Sequence, residues 1–169
     1  MSRQQEHPTH AEPEPPFPEQ EQEPPGREAD MQPLADHGED SYEGHRRLTD
    51  RVALVTGADS GIGRAVALAF AREGADVLCS YLDEDEDAAQ TRRLVEDSGR
   101  RCLTAPGDIG DRDHCRALVD RALEELGRLD VLVNNAAYQM AYESFLEIPP
   151  DELEFVFRTN VLIAPFVAA

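Results

Sequence analysis

"TGADSGIG", Thr56 to Gly63, follows the apolar run Val52-Ala53-Leu54-Val55 and opens the helix-spaced stretch "RAVALAFAREG". A turn that leaves a strand and starts a helix aims unsatisfied backbone N–H groups and the positive end of the helix dipole at one point, which favours a phosphate. Gly57 suits the tight turn, Gly61 lets the backbone approach an anion, and Gly63 lets helix and strand pack closely. The glycines follow G-x-x-x-G-x-G rather than G-x-G-x-x-G, and no G-K-[ST] makes the turn a P-loop.

The punctuation on either side of this turn is regular. "RVALVT" reads as a strand, and "GIGRAVALAFAREG" as a helix ending at Gly74. "ADVLCSY" is a second strand, and "EDEDAAQTRRLVEDSG" a second helix closed by Gly99. "RCLTA" follows as strand, "DRDHCRALVDRALEELG" as helix closed by Gly127, and "LDVLVNN" as strand. Strands apolar on both faces and separated by helical crossovers imply an α/β fold with a doubly wound parallel sheet of Rossmann type. Right-handed crossovers predict strand order 3-2-1-4, with a ligand site at the switch point between strands 1 and 4.

Composition divides the chain near Leu48. Residues 1–47 hold eight of the twelve prolines and 12 acids against 4 arginines. Their only sizeable apolar groups are Phe17, Met31, Leu34 and Tyr42, too few to offset the entropy of ordering. Two readings stand for residues 1–48: a solvated, partly polyproline tail, or an arm that docks on a neighbouring subunit through those four anchors. Residues 49–169 carry the dinucleotide-binding pattern.

Net charge is −19, from 16 Lys+Arg against 35 Asp+Glu, and a chain so acidic does not attract nucleic acid. No stretch approaches the ~18 apolar residues of a membrane span, and the N-terminus has no secretory core. Cys79, Cys102 and Cys115 lack C-x-x-C spacing and suit reduced packing residues of a cytoplasmic protein. His7, His10, His37, His45 and His114 are scattered, so no metal site is expected.

"TGADSGIGRA" together with "NNAA", Asn134 to Ala137, resembles the short-chain dehydrogenase/reductase family, whose hallmarks are T-G-x-x-x-G-I-G and N-N-A-G. "GDIGD" and "RTNV" extend the likeness, and the Pro/Glu-rich leader is similar to that of bacterial members with long N-terminal arms. Ala137 departs from the usual Gly and adds one methyl beside the cofactor channel. The resemblance implies that Gly57, Asp59, Ser60, Gly61, Ile62 and Gly63 hold the cofactor. It further implies an adenine-contacting acid at Asp108 with Ile109 over the ring, and cofactor contacts from Asn134, Ala136 and Ala137. Asn160 falls at the family's catalytic Asn, which helps hold a water of the proton relay. An alcohol or carbonyl substrate and a homo-oligomer, a tetramer in the family, are likewise implied.

Asn134 and Asn135 follow a buried strand, where side-chain amides can tie neighbouring strands together. Each of these residues has a plain alternative: a helix-capping role for Asp108, a turn at Asn134 and Asn135. Asn is a poor helix former, so Asn160 within a helix after Pro150 implies an unusual local backbone or a buried hydrogen bond. Tyr138, Met140, Tyr142 and Phe145 either line an apolar mouth or pack against further chain.

The family's chemistry also uses Ser, Tyr and Lys, the last two spaced Y-x-x-x-K. All sixteen basic residues here are arginines, which cannot replace that lysine. Tyr42, Tyr81, Tyr138 and Tyr142 precede or flank the NNAA loop. Three readings follow: the N-terminal, cofactor-binding part of an NAD(P)-dependent oxidoreductase truncated before its Tyr and Lys, an inert dinucleotide-binding or regulatory protein, or a non-functional remnant. The first is preferred.

For the cofactor, Tyr81 stands where family members using NAD place an acid, and Ser60 where members using NADP place a base. The acids from Asp83 to Asp87 would repel a 2′-phosphate, so NAD is favoured over NADP, although dipole-favoured acids at a solvated helix start explain the same run. Were NADPH preferred, Arg64 is the arginine placed to read the phosphate.

Overall fold

The structure, a computed structural model, describes residues 18–20, 22 and 28–162. The chain divides into two compact units between Asp36 and His37. In the first, a short 3-10 turn spans Glu28–Asp30. The Gln20 side chain brackets the Gln32 backbone, donating to its carbonyl at 2.8 Å and accepting from its N–H at 2.9 Å.

The second unit is a parallel four-stranded sheet: β1 (Val52–Thr56), β2 (Asp76–Tyr81), β3 (Cys102–Pro106) and β4 (Val131–Val133). Its order, β3-β2-β1-β4, is the one right-handed crossovers dictate. In register, Leu54 lies beside Leu78 on one side and Leu132 on the other. β1 is buried along its whole length, as the centre of a sheet covered on both faces must be.

Helices α1 (Gly61–Arg72) and α2 (Asp85–Asp97) cover one face, where Val55, Ala67, Ala71, Val77, Cys79 and Val95 form the core. Helix α3 (Arg112–Arg121) covers the other, against Leu54, Leu78, Ala105, Cys115 and Leu118. The third helix is not uniform to Gly127, as its spacing implies. It passes into a π-helical turn at Ala122–Leu126 before Gly127 ends it in the left-handed region, φ +86°. Helix α4 (Pro150–Phe157) likewise continues as a π-helical turn, Arg158–Leu162, and no residue of α4 is buried.

Residues 37–50 pack on the C-terminal end of α1, although composition places 37–48 in the leader. Glu73, which caps α1, accepts from the Tyr42 hydroxyl at 2.6 Å and from the N–H groups of His45 and Arg47 at 2.9 Å each. The Arg72 guanidinium donates to the carbonyls of Gly38 at 2.7 Å, Tyr42 at 2.6 Å and Glu39. Of these contacts a hydropathy reading registers only Tyr42, which anchors the segment on its own chain through its hydroxyl, because the rest are backbone groups and charged side chains. Of the four apolar anchors proposed for the leader, Phe17 lies outside the described residues, and Met31 and Leu34 are exposed.

Candidate cofactor site at the switch point

The three helices on the sheet start differently. Helix α2 opens with Asp85, Glu86 and Asp87 in its first turn, and Asp111 caps α3 by accepting from the N–H of Asp113 at 2.9 Å. Helix α1 has no acid in its first turn and no side-chain cap. Ser60 stands at its N-cap position, but its hydroxyl donates to Asp59 at 2.8 Å. Apart from Asp59, whose carboxylate is held by Ser60 one residue before the cap position, the start of α1 presents its partial positive charge without an acid in its first turn.

Packing closes the turn on one side and leaves it open on the other. A Cβ on Gly63 would lie 1.8 Å from the Gly57 carbonyl oxygen, and one on Gly57 would lie 2.9 Å from the Ala136 Cα. Gly61, at φ +50°, has no neighbouring atom within 4 Å of where a Cβ would stand. Ile62 beside it is 76% exposed. The open side of the turn sits at the C-terminal ends of β1 and β4, the topological switch point.

Asn135 ties the two loops at that point together. Its Nδ2 donates to the carbonyls of Thr56 at 3.0 Å and Gly57 at 2.9 Å. The Thr56 hydroxyl oxygen accepts from the backbone of Asn135 at 3.1 Å and of Ala136 at 3.0 Å. Asn134 and Ala137 are exposed on the same loop, and Ala136 is half-buried. Asn135, whose amide the sequence marks as able to tie neighbouring strands, joins the loops together with Thr56, which the sequence does not single out because its bonds link positions about eighty apart.

Asp59 turns its carbonyl inward, where it accepts from Arg64 Nε at 3.0 Å, Arg64 Nη2 at 2.6 Å and the Thr91 hydroxyl at 2.8 Å. Arg64 is 2% exposed and also meets Asp87 on α2, Nη2 to Oδ1 at 3.6 Å. The expectation that Arg64 could read a phosphate is therefore corrected: its guanidinium lies between α1 and α2.

Tyr81, at the end of β2, is buried, with its hydroxyl donating to Asp85 at 2.6 Å. Burial, with the Asp85 carboxylate beside it, pushes the phenol up to about 12. Asp108 is exposed and accepts from the N–H of Gly110 at 2.7 Å, while Asp111 caps α3. The expectation of Ile109 over an adenine ring is corrected: its side chain is packed in the core under α3, where it anchors the loop that carries Asp108.

Asn160 sits in the π-helical turn, an unusual backbone of the kind its helix propensity implied. Its amide pairs with Tyr138 in both directions: Oδ1 accepts from the Tyr138 N–H and Nδ2 donates to the Tyr138 carbonyl, each at 2.8 Å. Tyr138 meets Phe155 edge-on, ring centroids 4.7 Å apart, and Arg158 lies over the same Phe155 ring at 5.3 Å. Met140, Tyr142 and Phe145 are exposed. Among the described residues no helix is long and apolar enough to cross a membrane, and no group of three or more side chains could hold a metal ion.

A parallel sheet with an uncapped, glycine-lined helix start at its switch point defines a dinucleotide-binding fold of the Rossmann type. Residues 51–168 match the short chain dehydrogenase family, and the chain belongs to it. The uncharacterized oxidoreductase YhdF of Bacillus subtilis (strain 168) is 49% identical over 137 residues, covering 81% of this chain and 47% of that protein. Among solved structures, a short chain dehydrogenase from Burkholderia cenocepacia J2315 in complex with NADP superposes with a TM-score of 0.70 at 36% identity, covering 72% of this chain and 49% of that one. Carveol dehydrogenase from Mycobacterium avium in complex with NAD gives 0.68 at 31% identity, covering 72% and 48%. The chain spans about half the length of the curated relatives it matches.

Proposed function

We propose that residues 49–169 form the cofactor-binding part of a cytoplasmic oxidoreductase that takes a small alcohol or carbonyl substrate and NAD in preference to NADP. Residues 1–48 are its arm, and the complete protein is a homo-oligomer. The observation that carries the reading is the start of α1: among the helices on the sheet, this one alone lacks both a cap and first-turn acids, and it opens beside Gly61 at the switch point. A dinucleotide pyrophosphate supplies the missing negative charge. The family match and the NAD- and NADP-bound neighbours support the same class of ligand.

A nicotinamide dinucleotide, when bound, exchanges a hydride with the carbinol or carbonyl carbon. This chain's own residues bind and orient it. Gly57, Gly61, Ile62 and Gly63 form the pyrophosphate turn, with Asp59 and Ser60 shaping its rim. Tyr81 walls the ribose end, Asp108 accepts from the adenine amino group, and Ile109 holds that loop in place. Asn134, Ala136 and Ala137 border the nicotinamide side, where Ala137 adds one methyl beside the cofactor channel. Asn160 acts at the reaction end by holding the Tyr138 backbone in register.

The preference for NAD rests on charge. Asp85 lies against Tyr81 at the end of β2, and Arg64 is turned inward, so the groups near the ribose are acidic. A 2′-phosphate entering there meets like charge.

Fluorescence titration of the full-length protein with NADH and NADPH tests the reading. NADH is expected to bind at least as tightly as NADPH, and Gly61→Val to abolish binding of both. Unchanged affinity in Gly61→Val would overturn the assignment of the turn, and a clear preference for NADPH would overturn the charge argument.

A further inference from the structure

Arg64 is the most deeply buried charged side chain around the turn, and the function described above uses only the fact that it is turned inward. Its guanidinium gives two hydrogen bonds to the Asp59 carbonyl, one to the Thr91 hydroxyl at 3.0 Å and one to the Asp87 carbonyl at 3.3 Å. The Asp87 carboxylate stands 3.6 Å from Nη2, and both side chains are nearly removed from water, 3% and 11% exposed. A buried arginine of this kind is tolerated only when its charge and its donors are matched, and removing either partner leaves the other stranded. The network therefore joins three elements into one unit: the glycine turn through Asp59, α1 through Arg64, and the start of α2 through Asp87 and Thr91.

The geometry has a consequence for the turn. In a trans peptide the carbonyl and the following N–H point in opposite directions. With the Asp59 carbonyl held inward by three donors, the N–H of Ser60 is directed outward, away from the α1–α2 interface. Asp59 and Ser60 lie between Gly57 and Gly61, glycines that would otherwise let this peptide turn over freely. Holding the carbonyl inward adds an oriented donor to those of the first turn of α1.

The charge has a second consequence. The residues following β2 read the ribose in folds of this kind. Asp87 opens α2 six residues after Tyr81, and its carboxylate offsets the positive charge of Arg64 there. While the pair is intact, no net positive charge reaches the ribose end from this direction.

We propose that Arg64 and Asp87 form one positioning and specificity unit for the dinucleotide: Arg64 sets the peptide of the phosphate-binding turn, and Asp87 keeps Arg64 from acting as a receptor for a 2′-phosphate. This rests on the cofactor reading above. Lysine cannot replace Arg64, since an ammonium reaches the Asp59 carbonyl from one point and cannot span it and Thr91 with a planar fork.

The test uses the full-length protein and measures Kd for NADH and NADPH by fluorescence, with a thermal melt of each variant. Arg64→Lys is expected to raise both Kd values by about tenfold, as expected for loss of a charge-assisted hydrogen bond. Thr91→Val keeps charge and shape but removes one donor from the Asp59 carbonyl and one acceptor from Arg64 Nε, so it loosens the same network from the α2 side. It should raise both Kd values by about threefold, and it decides the positioning role should Arg64→Lys fail to fold. Asp87→Asn is expected to shift the NADPH-to-NADH affinity ratio toward NADPH by about tenfold, a readout that a merely structural role would not move. Wild-type protein binding either dinucleotide, with unaltered Kd values in Arg64→Lys or Thr91→Val, would overturn the positioning role alone. An unaltered ratio in Asp87→Asn would overturn the specificity role. Wild-type protein that binds neither dinucleotide would overturn the cofactor reading, and this inference with it.

Discussion

Asn135 Nδ2 donates to the Gly57 carbonyl at 2.9 Å, and a methyl group on Gly57 would lie 3.1 Å from that same nitrogen. The two residues follow different strands, β4 and β1, and meet across the switch point. The absence of a side chain at one is what allows the amide of the other to reach two successive carbonyls, those of Thr56 and Gly57. The shape of the phosphate-binding turn is thus set in part from the neighbouring strand.

Asn135→Ala leaves both carbonyls without that donor and should lower stability by about 1–3 kcal/mol, read from the urea midpoint at constant m-value. Asn135→Asp keeps the shape but sets carboxylate oxygens against two carbonyls, so it should cost more. A smaller loss for Asp than for Ala would show that the amide does not bridge the loops.

Gly61 and Gly63 should respond in opposite ways to substitution. A Cβ on Gly63 collides with the Gly57 carbonyl at 1.8 Å, so Gly63→Ala should cost about 1–3 kcal/mol or more as α1 is pushed off the turn. Gly61→Ala enters open space and costs only its left-handed backbone, about 1–2 kcal/mol. The discriminating measurement pairs a denaturation midpoint with an NADH titration. Gly61→Ala should lose more affinity than stability, and the reverse result would place Gly61 in the fold rather than the site.

Acid should release the segment 37–50. The Tyr42 hydroxyl and the backbone N–H groups of Arg47 and His45 hold Glu73 down to about 2, against 4.5 for an ordinary glutamate. A carboxyl whose folded pKa is depressed contributes stability that is present above the unfolded pKa and lost as pH falls through the folded one. The contribution should therefore fade between pH 4.5 and about 2. Burial pushes Glu39 up, but the His37 hydrogen bond and backbone donors bring it to about 2 as well, so it contributes over the same window. Limited acid proteolysis should cut within 37–50 progressively faster over that range, and Glu73→Gln should flatten the profile. A profile identical in Glu73→Gln would remove Glu73 from the account.

Asn160→Ala removes both hydrogen bonds to Tyr138 and should cost about 1 kcal/mol, since the group is exposed and water replaces its partners. In the full-length enzyme it should lower turnover while NADH affinity stays within about twofold, because the bonds it loses are to the Tyr138 backbone and not to the glycine turn. Equal losses in affinity and turnover would assign Asn160 to cofactor binding instead.

Much of the fold was legible in one dimension. The runs "RVALVT", "ADVLCSY" and "LDVLVNN" contain their observed strands, "RCLTA" falls one residue short of the end of β3 at Pro106, and the alternation of the runs with helical spacing was enough to predict a parallel sheet in the order 3-2-1-4. Glycines at 74, 99 and 127 mark helix ends because left-handed backbone there excludes most other residues. The π-helical turn at Ala122–Leu126 was not legible, since its sequence carries the same apolar spacing as the helix it extends, whereas Asn160, a poor helix former, marked an unusual backbone where Arg158–Leu162 turns.

The sequence by itself determined the order of the elements, the faces they bury and the site's position at the C-terminal ends of the strands, because periodicity and turn chemistry are local properties. Tertiary structure alone decided which polar residues build the site. Arg64 faces inward to Asp59 and Asp87 rather than outward, Asn135 rather than Asn134 bridges the loops, and Glu73 gathers a segment thirty residues away. Each of those choices depends on which donor finds an acceptor once the strands are side by side. A buried polar group must be satisfied by whatever the fold brings within about 3 Å, and sequence distance does not constrain that partner.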